Sequence, residues 1–488
     1  MASQEQFDVL ILGGGPAGAV LAERLSHRGY SVAIVERQPL PRYAVGESLP
    51  PSVGLLLTRM GIVPDSSMLN FPRTTGYFSA WGTDALSFTP HHAKERTFGF
   101  QVDRATFDSL LIQSARDTGA TILESYHPIA IAPATCGWQV ILESRDGLRR
   151  TVVSRFLCDA SGRARVLARK LQLKPTISGR LIGMLCYWDE PHSRASADQY
   201  DTLVEATPDG WMYTARLQNN HRAVGFMTDR DLLPRDLRHH ARAICSRALR
   251  ETKHVRQLLQ ACVSPGEVKI FAANPTLIER CCGPDWLLVG DAASTLDPLC
   301  SQGVQKAITS ALAAATVVHT ILSRPERTDI ASEFYRERER AGFLAHLDSL
   351  RQYYAREQRW KRRPFWKRRM LASHVQSATV ASNQTAPAPQ DRLIVGSGTS
   401  ITGRPVIEGE FVELRPVVVP PNMNRGLRFC GSICVPDVLA LLDSRPTVEE
   451  VLDRYRGSHS DVSRIALQRG IAHLVRLGVI MTEQGERR

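Results

Sequence analysis

The sequence has little from which to build a metal centre, a disulfide framework or a membrane span. Its 10 cysteines are scattered over 488 residues without the paired spacings of a zinc site or a secreted scaffold. Cys281-Cys282 and Cys430-x3-Cys434 each lack a second half, so reduced, mostly buried thiols and no metal are expected. No unbroken apolar run reaches the roughly 18 residues that a spanning helix needs. The N-terminus passes from polar "MASQEQ" straight into strand-like "FDVLILGGG", with neither a basic region nor a small-residue cleavage site, which places the protein in the cytoplasm. Lysine is also scarce: Lys94 is the only one before Lys170.

What is present indicates a globular chain of at least two domains, since 488 residues exceed what one core organises. Phe7 to Arg37 reads as strand, glycine-rich turn, helix and strand. Gly13 allows the tight turn, Gly15 lets the backbone approach a pyrophosphate, Gly18 lets the helix pack on the strand, and Ala17 is a further cofactor-binding position. Glu36, followed by Arg37, ends the second strand where an acid reaches ribose hydroxyls. A dinucleotide is implied, either NAD or FAD. The stretch "LLVGDAASTLDPLCSQGVQKAI" favours FAD: Asp291 after a strand suits a ribityl chain, and beyond Pro298 a helix opening at Gly303-Val304 points its N–H groups at a flavin ring.

Taken together, these motifs resemble the single-component-type FAD monooxygenases and, within them, the tryptophan-halogenase-like flavoproteins. "VGESLPP" matches the family's GES segment, with Glu47 and Ser48 its polar members. Arg104 in "FQVDRATFDSLL" and Asp159 in "LCDASGRARVL" take the positions of cofactor-supporting residues, and "YYAREQRWKRRPFWKRR" matches an aromatic-basic segment. The resemblance covers residues 7–370 and implies an α/β fold. It comprises a Rossmann-type FAD-binding domain of the GR2-like flavoprotein monooxygenase kind (1–72, 98–174 and 271–323) and an interleaved antiparallel-sheet substrate domain (73–97 and 175–270). A helical basic segment (324–375) follows. The resemblance implies FAD, reduced by NAD(P)H or a partner reductase, with dioxygen as co-substrate and a flavin C4a-hydroperoxide as oxidant.

One departure selects among family chemistries. The halogenase signature Trp-x-Trp-x-Ile-Pro is broken in "GWMYTARL": Trp211 remains, Tyr213 replaces the second tryptophan, and Arg216 stands where the proline would be. Lys94, in "PHHAKERTF", reads as a loop lysine more readily than as the lysine that captures hypohalous acid. Aromatic hydroxylation is therefore expected, with Trp211, Tyr213 and Arg216 as substrate-pocket residues and Pro298 beside the reacting ring. Tyr187 and Trp188 are further aromatics of the same sheet, and the His91-His92 pair reads as solvated.

Residues 376–396 have linker composition, and 397–488 read as strand, helix, helix and a long helix running into a strand, a small winged-helix-like module. The net charge of +12 invites nucleic acid, but it concentrates between Arg351 and Arg369, where nine Lys or Arg residues meet one Glu. A dock for an acidic protein or peptide fits this pattern better than nucleic acid. The combination implies a large aromatic substrate: a tryptophan side chain within another protein, hydroxylated during quinone cofactor biogenesis. The alternatives are a halogenase or hydroxylase of a carrier-bound natural product, a reductase of isoprenoid double bonds, and a non-catalytic FAD-binding assembly factor.

Overall fold

The computed structural model describes residues 5–42, 44–62, 68, 70–91, 98–191, 201–263, 266–371, 386–420 and 426–483; His92 and Lys94 lie outside them. The chain divides into two compact units. One comprises residues 1–319 and 335–375, the other 320–334 and 376–488.

The first unit starts from β1 (Glu5–Leu12), α1 (Pro16–His27) and β2 (Val32–Glu36). Val9, Leu10, Ile11 and Leu12 are buried in succession rather than alternately, as in a central parallel strand covered on both faces. Strands Thr121–Glu124, β2, β1 and Arg149–Asp159 run parallel in that order. The long strand Arg149–Asp159 pairs in its first half with Gly137–Ser144 and in its last residues with Trp286–Leu288. Helix α1 packs close because position 18 is glycine: a Cβ there would lie 1.9 Å from the Gly13 carbonyl oxygen.

A second sheet orders its strands Lys269–Ala272, Leu181–Asp189, His221–Asp229, Gly210–Arg216, Thr202–Thr207, Gly76–Ala80 and Ser87–Pro90. Its period-two alternation sends Met184, Cys186, Leu203, Met212 and Phe226 to one face, where they pack with helix Leu237–Arg250. Trp211, Tyr213, Val204, Met227 and Phe271 face the other way, into the large cavity described below.

The aromatic-basic segment packs on the inner edge of this sheet. Phe365 and Trp366 are fully buried; Trp81 and Tyr354 pack against Trp366, and Tyr353 packs against Trp81. Much of its charge is neutralised within the fold. Arg359 bonds Glu357 and Asp84, Arg363 bonds Asp209, and Arg368 and Arg369 both bond Asp229. Exposed Arg356, Lys361, Arg362 and Lys367 are what the stripe still offers outward. Helix Gly303–Ser323 has the length and mean hydropathy of a membrane span, yet 61% of that stretch is buried inside the fold.

In the second unit, helices Val435–Ala440, Val448–Ser458 and Arg464–Arg476 surround a core of Val438, Val451, Leu452, Tyr455, Leu467, Ile471 and Leu474. A capping box closes the middle helix: Thr447 accepts from Glu450 N–H, and Glu450 accepts in return. Strand Leu393–Val395 pairs antiparallel with Ile480–Thr482, so residues expected in the linker join this module. A hairpin, Ser400–Glu408 with Phe411–Val419, adds a strand that composition alone did not suggest.

Candidate active site

One cavity of about 670 Å³ runs from the glycine turn after β1 to the inner face of the second sheet. At its first end the backbone is open by construction. Gly13 has φ +107°, and a Cβ there would meet the Ala160 carbonyl oxygen at 2.5 Å, so only glycine makes the turn without strain. Gly15 caps α1 without any side-chain bond, and Pro16 occupies the first turn, leaving N-terminal N–H groups for an anion. Glu36, at the end of β2, accepts from Gly14 N–H at 2.9 Å and Gln38 N–H at 2.9 Å while lining the cavity beside Arg37.

Three buried networks hold this end. Arg104 grips Asp108 through two bonds, 3.0 and 3.1 Å, and donates to the Val45 carbonyl, fixing the Gly46-Glu47-Ser48 turn. Asp159 lies beneath the surface; it accepts from Ser161 N–H and Leu167 N–H, tying the next turn down. Burial raises its carboxyl above the usual range against these bonds. Lys306 spans the Gly290 and Ser294 carbonyls at 2.5 and 2.7 Å and pairs with Glu339 at 3.2 Å. Burial disfavours ionised Glu339, but Lys306 and Arg338 outweigh it and hold its carboxyl low.

At the other end, Trp211, Tyr213 and Phe271 line the cavity together with Asp297, Pro298, Leu299 and the helix start Gly303-Val304. Among the described residues, nothing beyond its chain neighbours and own helix lies within 4 Å of where a Gly303 Cβ would stand, so the helix N-terminus can be approached closely. Glu47 and Ser48 line the same space. Tyr187 Oη donates to Glu47 at 2.7 Å, and Ser48 Oγ bonds Gln101 at 2.9 Å and Thr202 at 2.7 Å. Burial raises the Asp297 carboxyl and pushes the Tyr354 phenol well above its ordinary value.

The residues expected from sequence thus divide. Gly13, Gly15, Ala17, Glu36, Arg37, Glu47, Ser48, Arg104, Asp291, Pro298, Gly303, Val304, Trp211 and Tyr213 line one cavity. Gly18 and Asp159 support it from below. Arg216 is placed elsewhere: it is 2% exposed and pairs with Glu190 at 3.3 Å, which also holds Arg222 at 3.1 Å. Its charge is consumed in a buried structural cluster rather than offered to a substrate. Trp188 packs toward helix Leu237–Arg250, and His91 bonds Thr74 Oγ1 at 2.9 Å instead of facing solvent. Asp297, Tyr354, Lys306 and Glu339 went unread in the sequence. Asp297 and Lys306 flank the recognised Pro298 and Gly303; Tyr354 was read only as an aromatic of the basic segment, and no local signal marks Glu339. Among the described residues no group of three or more His, Cys, Asp or Glu side chains could hold a metal ion.

The cavity fits FAD: a glycine turn and uncapped helix for the pyrophosphate, an acid at the end of β2 for ribose, Asp291 for ribityl, and a bare helix start for the ring. The family described as "FAD binding domain" matches residues 6–342, and the chain belongs to it. The protein is an FAD-dependent oxidoreductase, and it is similar to flavin-dependent halogenases and related flavoproteins. LodB of Marinomonas mediterranea, named as an FAD-dependent oxidoreductase, is 28% identical over 77% of this chain and 100% of its own length. CmlS, a flavin-dependent halogenase, shares the fold with a TM-score of 0.78 at 22% identity, over 99% of this chain and 97% of that one. The peptidyl tryptophan dihydroxylase QhpG, essential for tryptophylquinone cofactor biogenesis, has a TM-score of 0.73 and 25% identity over 97% of this chain and 99% of its own.

Proposed function

We propose that this protein is a monooxygenase that hydroxylates an aromatic ring, a tryptophan side chain carried by a protein substrate during quinone cofactor biogenesis. The observation that carries the aromatic part is the continuity of the cavity: the glycine cradle and the wall of Trp211, Tyr213 and Phe271 belong to one space. The likeness to QhpG extends over both units of the chain, which supports a protein-borne substrate.

Bound and reduced FAD would supply the activation of dioxygen. Gly13, Gly15 and the start of α1 bind the phosphates, Glu36 the ribose, and Asp291 the ribityl chain. Trp211, Tyr213 and Phe271 hold the substrate ring by offset or edge packing. Glu47, held by Tyr187, is the carboxylate placed to exchange a proton at the ring end.

A second reading, halogenation of a carrier-bound natural product, is favoured by one observation. Halogenases recur among the relatives, including a 1H-pyrrole-2-carbonyl-[peptidyl-carrier protein] chlorinase of Pseudomonas fluorescens, 27% identical over 65% of this chain. Supplying reduced, FAD-loaded protein with a tryptophan-containing peptide, air and chloride separates the two by product mass. Oxygen gain on tryptophan supports the first reading, and chlorine gain the second.

A further inference from the structure

We propose that Tyr354 is the positioning residue that sets the gap between the aromatic wall and the flavin-facing loop, one hydroxyl bridging Trp211 and Asp297. The inference rests on the aromatic-oxygenase reading and names the device that shapes that same site.

Trp211 and Asp297 both line the cavity and belong to different elements. Tyr354 stands behind both. Its Oη accepts from Trp211 Nε1–H at 3.0 Å and donates to Asp297 Oδ2 at 3.0 Å. A buried hydroxyl with one proton and two lone pairs is well used by one bond in each direction. The Asp297 side of the bridge is also held: Asp297 Oδ1 accepts from Leu299 N–H at 3.0 Å, and Asp297 N–H donates to His346 Nε2 at 3.0 Å.

The strut itself has no freedom. The Tyr354 ring is 3% exposed and packs edge-on against Phe365 and Trp366, with centroids 6.2 and 6.0 Å away. The Arg369 guanidinium lies 5.0 Å from its centroid and is anchored on Asp229 by bonds of 2.8 and 3.1 Å. A ring gripped this firmly transmits the position of its helix to the pocket. The aromatic-basic segment thereby acquires a role in substrate geometry that its surface charge does not suggest. Tyr354→Phe keeps the ring and removes both bonds, freeing the Trp211 indole to tilt and the Asp297–Leu299 loop to shift.

The test uses full-length, FAD-loaded protein, with N-acetyltryptophanamide as the probe. Its affinity is read from the change in flavin absorbance, and the loop from the visible circular dichroism of the bound flavin. Tyr354→Phe is expected to retain FAD through gel filtration, weaken the probe by about tenfold, and alter the flavin dichroism. In a Trp211→Phe background the same substitution is expected to change probe affinity by less than about twofold, because the strut no longer has an indole N–H to hold.

Unchanged affinity and dichroism overturn the proposal, as does an equal tenfold loss in the Trp211→Phe background. Wild-type protein that ignores the probe contradicts the aromatic-substrate reading instead, and the dichroism of Tyr354→Phe alone then decides the strut. Should Tyr354→Phe fail to fold, Trp211→Phe cuts the same bond from the other side and must alter the flavin dichroism; an unaltered spectrum overturns the proposal.

Discussion

The two ends of the cavity are built by different means. The pyrophosphate end is backbone, drawn from the contiguous residues Gly13 to Arg37, and its requirements are glycine, an uncapped helix and a strand-terminal acid. The ring end is side chain, gathered from far apart: Trp211 and Tyr354 bond across 143 positions, Tyr354 and Asp297 across 57. Backbone sites are specified by short-range rules and tolerate little change. Side-chain sites are specified by packing, which is where members of one fold come to differ in substrate.

The largest expected effect sharpens the first half of that contrast. Gly13→Val forces a branched residue into φ +107° against the Ala160 carbonyl and should weaken FAD on the order of a hundredfold, measured as flavin absorbance retained after gel filtration. Next comes Glu190→Gln, which removes the buried carboxylate that pairs with Arg216 and Arg222 and should destabilise the fold by about 3 kcal/mol in denaturant melts. Probe affinity in the folded fraction should not change; a selective loss of that affinity would return Arg216 to the substrate.

Tyr213→Ala acts at the ring end alone. The Tyr213 ring lies over Gly225, where an added Cβ would approach Cε1 to 2.0 Å, and its loss should lower kcat/KM for an aromatic substrate about tenfold with FAD retained.

The pH dependence of stability also separates groups behind the ring end. Burial lowers His346 from 6.5 to about 4, so its contribution is complete above the unfolded value and is lost as pH falls from 6.5 toward 4, by roughly 3 kcal/mol at most. Asp297, raised by burial, works oppositely and costs stability as pH rises above the ordinary carboxylate range. His346→Gln should flatten the acid limb of a stability profile, and Asp297→Asn should steepen it. The smallest effect belongs to the outer surface. Charge reversal at Lys361 and Arg362 should slow association with an acidic partner protein a few-fold, in a salt-dependent manner, without changing FAD content.

The same contrast explains what the sequence made legible. Gly13, Gly15, Glu36, Asp291 and Gly303 could be read because each answers to a local backbone demand next to a periodic strand or helix. Trp211 and Tyr213 were readable through a family signature and the alternation of one strand. Arg216 misled because a cation in a pocket-lining strand looks available; Glu190, 26 residues upstream by sequence number, absorbs it in a pairing that only the folded sheet reveals. The basic stripe misled in part for the same reason, since Asp84 and Asp209 reach it from turns, and Asp229 from a strand end, all distant in sequence. Hairpin Ser400–Glu408 with Phe411–Val419 was half-read: its second strand is richly apolar, whereas Gly403, Arg404 and Pro405 disguise the first.

The most direct test of the account is intact-mass and peptide-level analysis of a tryptophan-bearing protein substrate. It would be incubated with the FAD-loaded protein, a reductant and air, with and without chloride. Oxygen mass on a tryptophan side chain is expected, independent of chloride and formed about tenfold more slowly by Tyr213→Ala. A chlorine-containing product, or oxygen transferred to free small molecules while every peptidyl tryptophan stays unmodified, would contradict it.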